Sequence, residues 1–567
     1  MRVPPVSTKA LVAPYGLSYY APARLLLNAY FGKVKPQMIP ALLLCFALLS
    51  FGQGPDAQGR RQGQPPSVQQ PTPTTGTTVT TNQVGGQTRP PQERPSPVPE
   101  EIPVITHHEI TAGGKTLKYT ATVGMMPIKN REGETEARIF FMAYTLDDVG
   151  NRAHRPLTFS FNGGPGSASV WLHLGAIGPR RVPMNPDGTM AAPPYALVDN
   201  QQTWLDQTDL VFIDPVGTGY SRAARPELAA RFFGLQGDIE SVGEFIRMYL
   251  TRYERWTSPL FLAGESYGTT RASALSGYLI GRGIAFNGII LISTIMNFET
   301  TDFASGNDLP YVMFLPSYAA TAWYHKKLPP DLQKKSVQQV VAEAEKWAAT
   351  DYTLALERGD RLTAPERQET IARLSRFTGL SSQFIDNANL RVSLNFFRKE
   401  LLRDERRSIG RLDARFKGYD TSYVSAGPDF DASEAAIRPP YTSTFNNYIR
   451  SELGYKTDVE YYILGGGITS PWNWYTNNGY VDTSVALRTA LAQNPYLKVF
   501  VAMGYYDMAT PYFAVQYTLH HISIDPVLLR NFSTGYYEAG HMMYIDEKQL
   551  GRLRSDVGKF IDDSQRR

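Results

Sequence analysis

PLFLAGESYG, from Pro259 to Gly268, is an apolar run that stops at a Gly-Glu-Ser turn, and it leads straight into YGTTRASALSGYLIGRG, a stretch rich in small residues. A G-x-S-x-G match is a weak signal by itself in a chain with 47 glycines among 567 residues. Its flanks give it weight. An apolar strand, a sharp turn and a helix able to pack closely are what a nucleophile elbow requires: the turn holds Ser266 at the strand's end, and flanking glycines leave room where side chains would clash.

A serine hydroxyl is a poor nucleophile unless a histidine takes its proton and an acid fixes the tautomer of that histidine. Two further stretches supply these groups. LKVFVAMGYYD ends a strand pattern at Asp507, and FSTGYYEAGHMMY carries His541 in the loop after another. Sites on open parallel sheets gather at the carboxyl ends of strands, and the chain order Ser, Asp, His is that of α/β-hydrolases. The pair His520 and His521 competes for the role of base, but YTLHHI reads as a helix end. His107 and His108, beside Glu109, lack metal-ligand spacing and read as surface residues. No metal or other cofactor is expected. Acyl transfer also needs donors for an oxyanion. FSFNGGPGSAS places the glycine-rich turn at Gly163 and Gly164 after an apolar strand, where a carbonyl can approach the backbone.

Around these motifs, ARIFFMAYTL, LTFSFN, DLVFIDPV and GIILISTI repeat the short apolar pattern between helical segments, which indicates a mostly parallel sheet covered on both faces. Ile239, Val242, Phe245, Ile246, Tyr249 and Leu250 follow the spacing of a buried helical stripe. From 297 to 438 the strand pattern stops and polar helices take over, one of them opened by a Thr363–Glu366 capping box. This predicts a helical insertion in a domain spanning 105–567, with DVEYYILGG expected to resume the strands afterwards.

The composition bounds the rest. With 42% apolar residues the chain can bury a large core, and a net charge of +4 spread over 57 basic and 53 acidic residues gives no reason to expect a nucleic-acid partner. Residues 1–52 read as a leader: Met38 to Gly52 hold an apolar run of about 13 residues, shorter than a membrane span of about 20. Lys33 and Lys35 precede it and no acidic residue occurs before Asp56. Export to the periplasm or medium is expected, with an uncleaved leader as the one membrane contact foreseen and Met38 as an alternative start. The only cysteine, Cys45, lies in this leader. If the leader is cleaved, the mature chain has no cysteine and its fold does not depend on disulfides. Residues 53–104, rich in Gln, Pro, Thr and Gly, read as a disordered linker.

FNGGPGSASVWLHLGAIGP, DLVFIDPVGTGYSR, LFLAGESYG, GYYDMATP and EAGHMM occur in this order, and together they resemble the serine carboxypeptidase family from about Ile105 onward. The resemblance implies an α/β-hydrolase fold with a helical insertion and removal of single residues from the C termini of peptides or proteins. By position it implies Ser266 as nucleophile, His541 as base and Asp507 as its orienting acid. The N–H groups of Gly164 and Tyr267 would form the oxyanion hole, and Asn162 and Glu265 would bind the substrate's terminal carboxylate. Three departures stand out. The family's ELGP, whose glutamate joins the carboxylate site, is AIGP here, with Ala176 at that place. Ser160 replaces a common tryptophan, and SAS follows the turn where many members have a cysteine. Either another group takes the missing donor's part, with Glu538, three residues before His541, as the candidate read from the sequence, or the terminal carboxylate is bound mainly through Asn162 and neutral donors, or Ala176 is a tolerated change without consequence. An esterase or acyltransferase using the same triad is the alternative function. A non-enzymatic scaffold is disfavoured because every catalytic position is filled.

Overall fold

The computed structural model describes residues 101–566. The leader 1–52, Cys45 and the linker as far as residue 100 lie outside the described residues.

Among the described residues the central sheet has ten strands, nine of them in one continuous order: β1 (Val104–Ala112), β2 (Lys115–Lys129), β3 (Thr135–Leu146), β4 (Leu157–Phe161), β5 (Asp209–Ile213), β6 (Leu260–Ser266), β7 (Gly288–Thr294), β8 (Lys498–Gly504) and β9 (Phe532–Tyr537). Their spatial order is β1-β2-β3-β5-β4-β6-β7-β8-β9, with the two-residue strand Arg222–Ala223 pairing beside β3. From β5 to β9 every neighbouring pair is parallel. β1, β2 and β3 are antiparallel additions. The β1–β2 hairpin, absent from the strands read in the sequence, turns through Gly113 and Gly114, whose φ values of 55° and 75° suit a two-residue loop.

Each residue of β4, β5 and β7 is buried. Their side chains alternate between two cores. Leu262 and Leu291 point to one, while Phe261, Ala263, Ile290 and Ile292 point to the other. A strand apolar at every position is what a sheet covered on both faces demands. Helix α1 (Leu235–Arg252) lays its predicted stripe on the first core. Helix α2 (Tyr267–Ile280) follows the elbow directly and packs against α7 (Ser484–Gln493). A Cβ on Gly277 would lie 2.8 Å from the carbonyl of Ala486, so the small residues of this helix do allow close packing.

Between β7 and β8 come helices including α3 (Leu309–Tyr324), α4 (Val337–Trp347), α5 (Ala364–Thr378) and α6 (Ala432–Ser451). The Thr363–Glu366 capping box opens α5. Two features depart from the sequence reading. Ser408–Ile409 and Lys417–Gly418 form a short antiparallel ladder within the region read as free of strands. DVEYYILGG is not a strand: it makes only isolated bridges, Tyr462 with Gly219 and Leu464 with Ser167. Tyr461 and Ile463 are buried and alternate with half-buried neighbours, which gives the strand-like pattern. The segment crosses loops, however, and meets no strand to pair with.

The chain leaves β4 for β5 on one side and returns for β6 on the other, so β4 and β6 flank the point where strand order reverses. Loops leaving the carboxyl ends of such strands diverge and open a crevice.

Candidate active site

Ser266 closes β6 with φ 61° and ψ −132°, a left-handed backbone that a non-glycine residue adopts only under constraint. The glycines around it permit this. A Cβ on Gly264 would fall closer than 3.0 Å to the Gly268 carbonyl, and one on Gly268 would come 2.8 Å from the carbonyl of Phe161 on β4. Strand, turn and helix therefore cross at backbone contact. Tyr267 begins α2, where a backbone N–H has no acceptor within the helix and sits at the positive end of its dipole.

The turn after β4 lies directly over this elbow. A Cβ on Gly163 would fall closer than 3.0 Å to the Tyr267 nitrogen, and Gly164 and Gly166 have φ of 99° and 97°. Behind both runs a buried ion pair absent from the sequence reading. Arg271 Nε donates to Asp238 Oδ2 at 2.8 Å, Arg271 Nη1 to the Asn162 carbonyl at 2.7 Å, and the Tyr267 hydroxyl to Asp238 Oδ2 at 3.1 Å. One carboxylate thus ties the two backbone segments together.

His541 Nδ1 lies 2.8 Å from Asp507 Oδ2. The carboxylate also accepts the N–H groups of Ala509 and Thr510 at 2.8 and 2.9 Å and the Thr510 hydroxyl at 2.8 Å. With Nδ1 held in this way, Nε2 is the nitrogen left to take a proton. Burial pulls the His541 pKa down, but the charge and hydrogen bond of Asp507, with Glu265 adding, outweigh it and leave it above the usual 6.5. His520 and His521 stand exposed at the end of α8 (Tyr512–His520), so the reading of YTLHHI as a helix end holds.

Two supports of His541 gave no signal in the sequence. Ser293, at the irregular end of β7 with φ 51°, donates its hydroxyl to the His541 carbonyl at 2.5 Å. The segment around Leu412 clasps both loops: its carbonyl accepts from His541 N at 2.6 Å, Arg411 O from Met508 N at 3.0 Å, and Asp413 Oδ2 from Gly540 N at 3.1 Å. Arg415 pairs with Asp413 and Asp546 and so anchors the clasp.

Glu265, the residue before Ser266, is buried with His541 and Asp507 nearby. Burial pushes its pKa up to about 7, against the pull of His541, Tyr544 and Asn162. The Tyr544 hydroxyl donates to Glu265 Oε2 at 2.5 Å. Asn162 is buried too, and its Oδ1 accepts from Leu172 N at 3.0 Å. Its Nδ2 lies near enough to Glu265 and Tyr544 to lower both pKa values, yet has no partner at hydrogen-bonding geometry. Glu538 is not part of this group: it is exposed and accepts from Gln338 at 2.7 Å. That expectation is corrected, because the residue leaves β9 on the solvent side. Asn162, Glu265, Asp507 and His541 are thus brought into one cluster beside Ser266, Gly164 and Tyr267.

An elbow serine at a strand end, with a histidine and an acid on loops after later strands of one parallel sheet, defines the α/β-hydrolase class. Comparison with known proteins narrows it. The family model described as serine carboxypeptidase matches residues 115–537, and the chain belongs to that family. It is 31% identical over 155 residues to the pheromone-processing carboxypeptidase KEX1 of Saccharomyces cerevisiae, a match covering 25% of this chain and 20% of that protein. Serine carboxypeptidase-like 45 of Arabidopsis thaliana is 25% identical over 240 residues, covering 37% of this chain and 49% of the relative. The chain's matches thus span a fifth to a half of the length of these relatives. The crystal structure of a prohormone-processing carboxypeptidase from Saccharomyces cerevisiae shares the fold, with a TM-score of 0.50 and 18% identity over 78% of this chain and 91% of that one.

Proposed function

We propose that this chain is a serine carboxypeptidase that releases C-terminal residues from peptides through an acyl-enzyme on Ser266. His541 Nε2 takes the Ser266 proton as Oγ attacks the scissile carbonyl, and the N–H groups of Gly164 and Tyr267 receive the oxyanion. The same imidazole then protonates the departing amine, and a water deprotonated by His541 hydrolyses the ester. Asp507 holds the tautomer and stabilises the imidazolium. Asn162 and Glu265 bind the terminal carboxylate, and no cofactor takes part.

The observation that carries this reading over a general esterase is the buried Asn162 amide nitrogen, left without a partner beside Glu265. A buried donor without an acceptor costs about 1–3 kcal/mol, and a site that binds a carboxylate supplies the acceptor. The test compares an N-blocked dipeptide with its C-terminal amide, with products identified by mass. Release of the free C-terminal amino acid, with the amide strongly disfavoured, is the expected result. Equal cleavage of both, or hydrolysis of esters alone, would favour the esterase.

Export through the 1–52 leader is part of the proposal. Among the described residues no helix is long and apolar enough to cross a membrane. N-terminal sequencing of the protein recovered outside the cytoplasm tests it.

A further inference from the structure

We propose that Tyr544 completes the subsite for the substrate's terminal carboxylate, taking the part of the family's second glutamate, so that a phenol rather than a second carboxyl partners Glu265. This rests on the carboxypeptidase reading above and deepens it.

Three observations converge. First, Ala176 offers no polar side-chain atom, and its carbonyl is already used by Asn200 Nδ2 at 2.9 Å. Second, the Tyr544 hydroxyl lies 2.5 Å from Glu265 Oε2, and both are buried, as is the nearby Asn162 with its unpartnered amide nitrogen. Third, the room for Tyr544 comes from the segment where the family resemblance implies a glutamate and this chain has Ala176. The stretch around Gly175 and Ala176 packs against Met543–Ile545. A Cβ on Gly175 would lie 2.5 Å from both the Tyr544 ring and the Tyr441 hydroxyl. The missing side chain at Gly175 and the large ring at Tyr544 are therefore complementary.

The exchange alters the chemistry. Two adjoining carboxyls share a proton and repel each other once both ionise. A phenol keeps its proton: burial, with Glu265 beside it, holds the Tyr544 pKa well above its ordinary value. Tyr544 is thus a permanent donor, and Glu265 titrates without a second carboxyl against it in the subsite. The titratable groups facing Glu265 are His541, Asp507, Tyr544 and Tyr441, with Asn162 as the neutral donor. An incoming carboxylate is accepted while Glu265 is protonated and repelled once it ionises. KM for peptides therefore rises as pH passes upward through the Glu265 pKa.

The test is Tyr544→Phe in the full chain, which keeps the ring. The readout is kcat/KM for an N-blocked dipeptide divided by that for its C-terminal amide. Both substrates are measured on the same preparation, so the fraction of folded enzyme cancels. The expected result is a fall in this ratio of about tenfold to a hundredfold, the size of a lost hydrogen bond to a charged group, carried mainly by KM. Because the lost bond favours the ionised form of Glu265, the pH at which KM breaks moves upward. Glu538→Gln leaves ratio and break unchanged. A wild-type ratio in Tyr544→Phe, or equal losses on both substrates with the break unmoved, would overturn the proposal. A wild-type enzyme indifferent to amidation would instead overturn the carboxypeptidase reading itself.

Discussion

His541 Nδ1 sits 2.8 Å from Asp507 Oδ2, and both side chains are buried at the carboxyl end of the sheet. The Asp507 carboxylate accepts four hydrogen bonds, one from each of the Ala509 and Thr510 amides, one from the Thr510 hydroxyl and one from His541. Its orientation is therefore set by the backbone before the imidazole arrives, and the imidazole tautomer follows from it.

Asp507→Asn keeps the shape of the acid while presenting an amide, so the imidazole is held in the wrong tautomer. We expect kcat to fall by about 10⁴-fold, as in serine hydrolases generally. His520→Ala and His521→Ala should keep wild-type turnover. Steady-state kinetics on one peptide substrate check all three, and a large loss in either surface variant would contradict the assignment of the base.

Glu265 is among the groups that raise the His541 pKa. Since His541 must be neutral to accept the Ser266 proton, activity is lost as pH falls through that pKa. Replacing Glu265 by Gln removes a negative neighbour and lowers the pKa. The acid limb of kcat/KM, which reports the free enzyme, should move to lower pH, and a pH–rate profile showing an upward shift would exclude the coupling.

Gly163 has room for hydrogen only, because a Cβ would meet the Tyr267 nitrogen. Gly163→Ala should displace the oxyanion turn from the elbow and lower kcat by about 10²-fold, the typical effect of a misplacement near 1 Å. Gly551→Ala, in helix α9 (Glu547–Gln565) with nothing within 4 Å of the added methyl, should instead stabilise the fold by about 0.5–1 kcal/mol without changing kcat. Kinetics and denaturant midpoints measured together separate the two effects.

Arg271→Met strands Asp238, a buried carboxyl whose pKa is raised by burial even with Arg271 opposing. Removing one partner of such a pair costs about 3–5 kcal/mol. An acid with a raised folded-state pKa binds more protons folded than unfolded, so the variant's stability should fall as pH rises from the unfolded pKa to the folded one. The deficit relative to wild type is thus larger at neutral than at acidic pH. A deficit independent of pH would mean that lost packing dominates.

The elbow, the glycine turn and the strand ends bearing Asp507 and His541 were legible in the sequence. Each is a local device: a backbone crossing at Gly264 and Gly268, a left-handed turn at Gly164, a polar residue where an apolar run stops. Sterics and periodicity act over a few residues and leave marks in their order. The identity of Glu265's partner was not legible. Tyr544 lies 279 residues away along the chain, and its ring reaches the carboxylate because Gly175 leaves space for it. The same holds for the clasp at Leu412, the Arg271–Asp238 pair and the failure of DVEYYILGG to become a strand. Alternating burial is present there, but a strand exists only where a neighbour offers a ladder of free donors and acceptors, and only the packed chain decides which segments become neighbours.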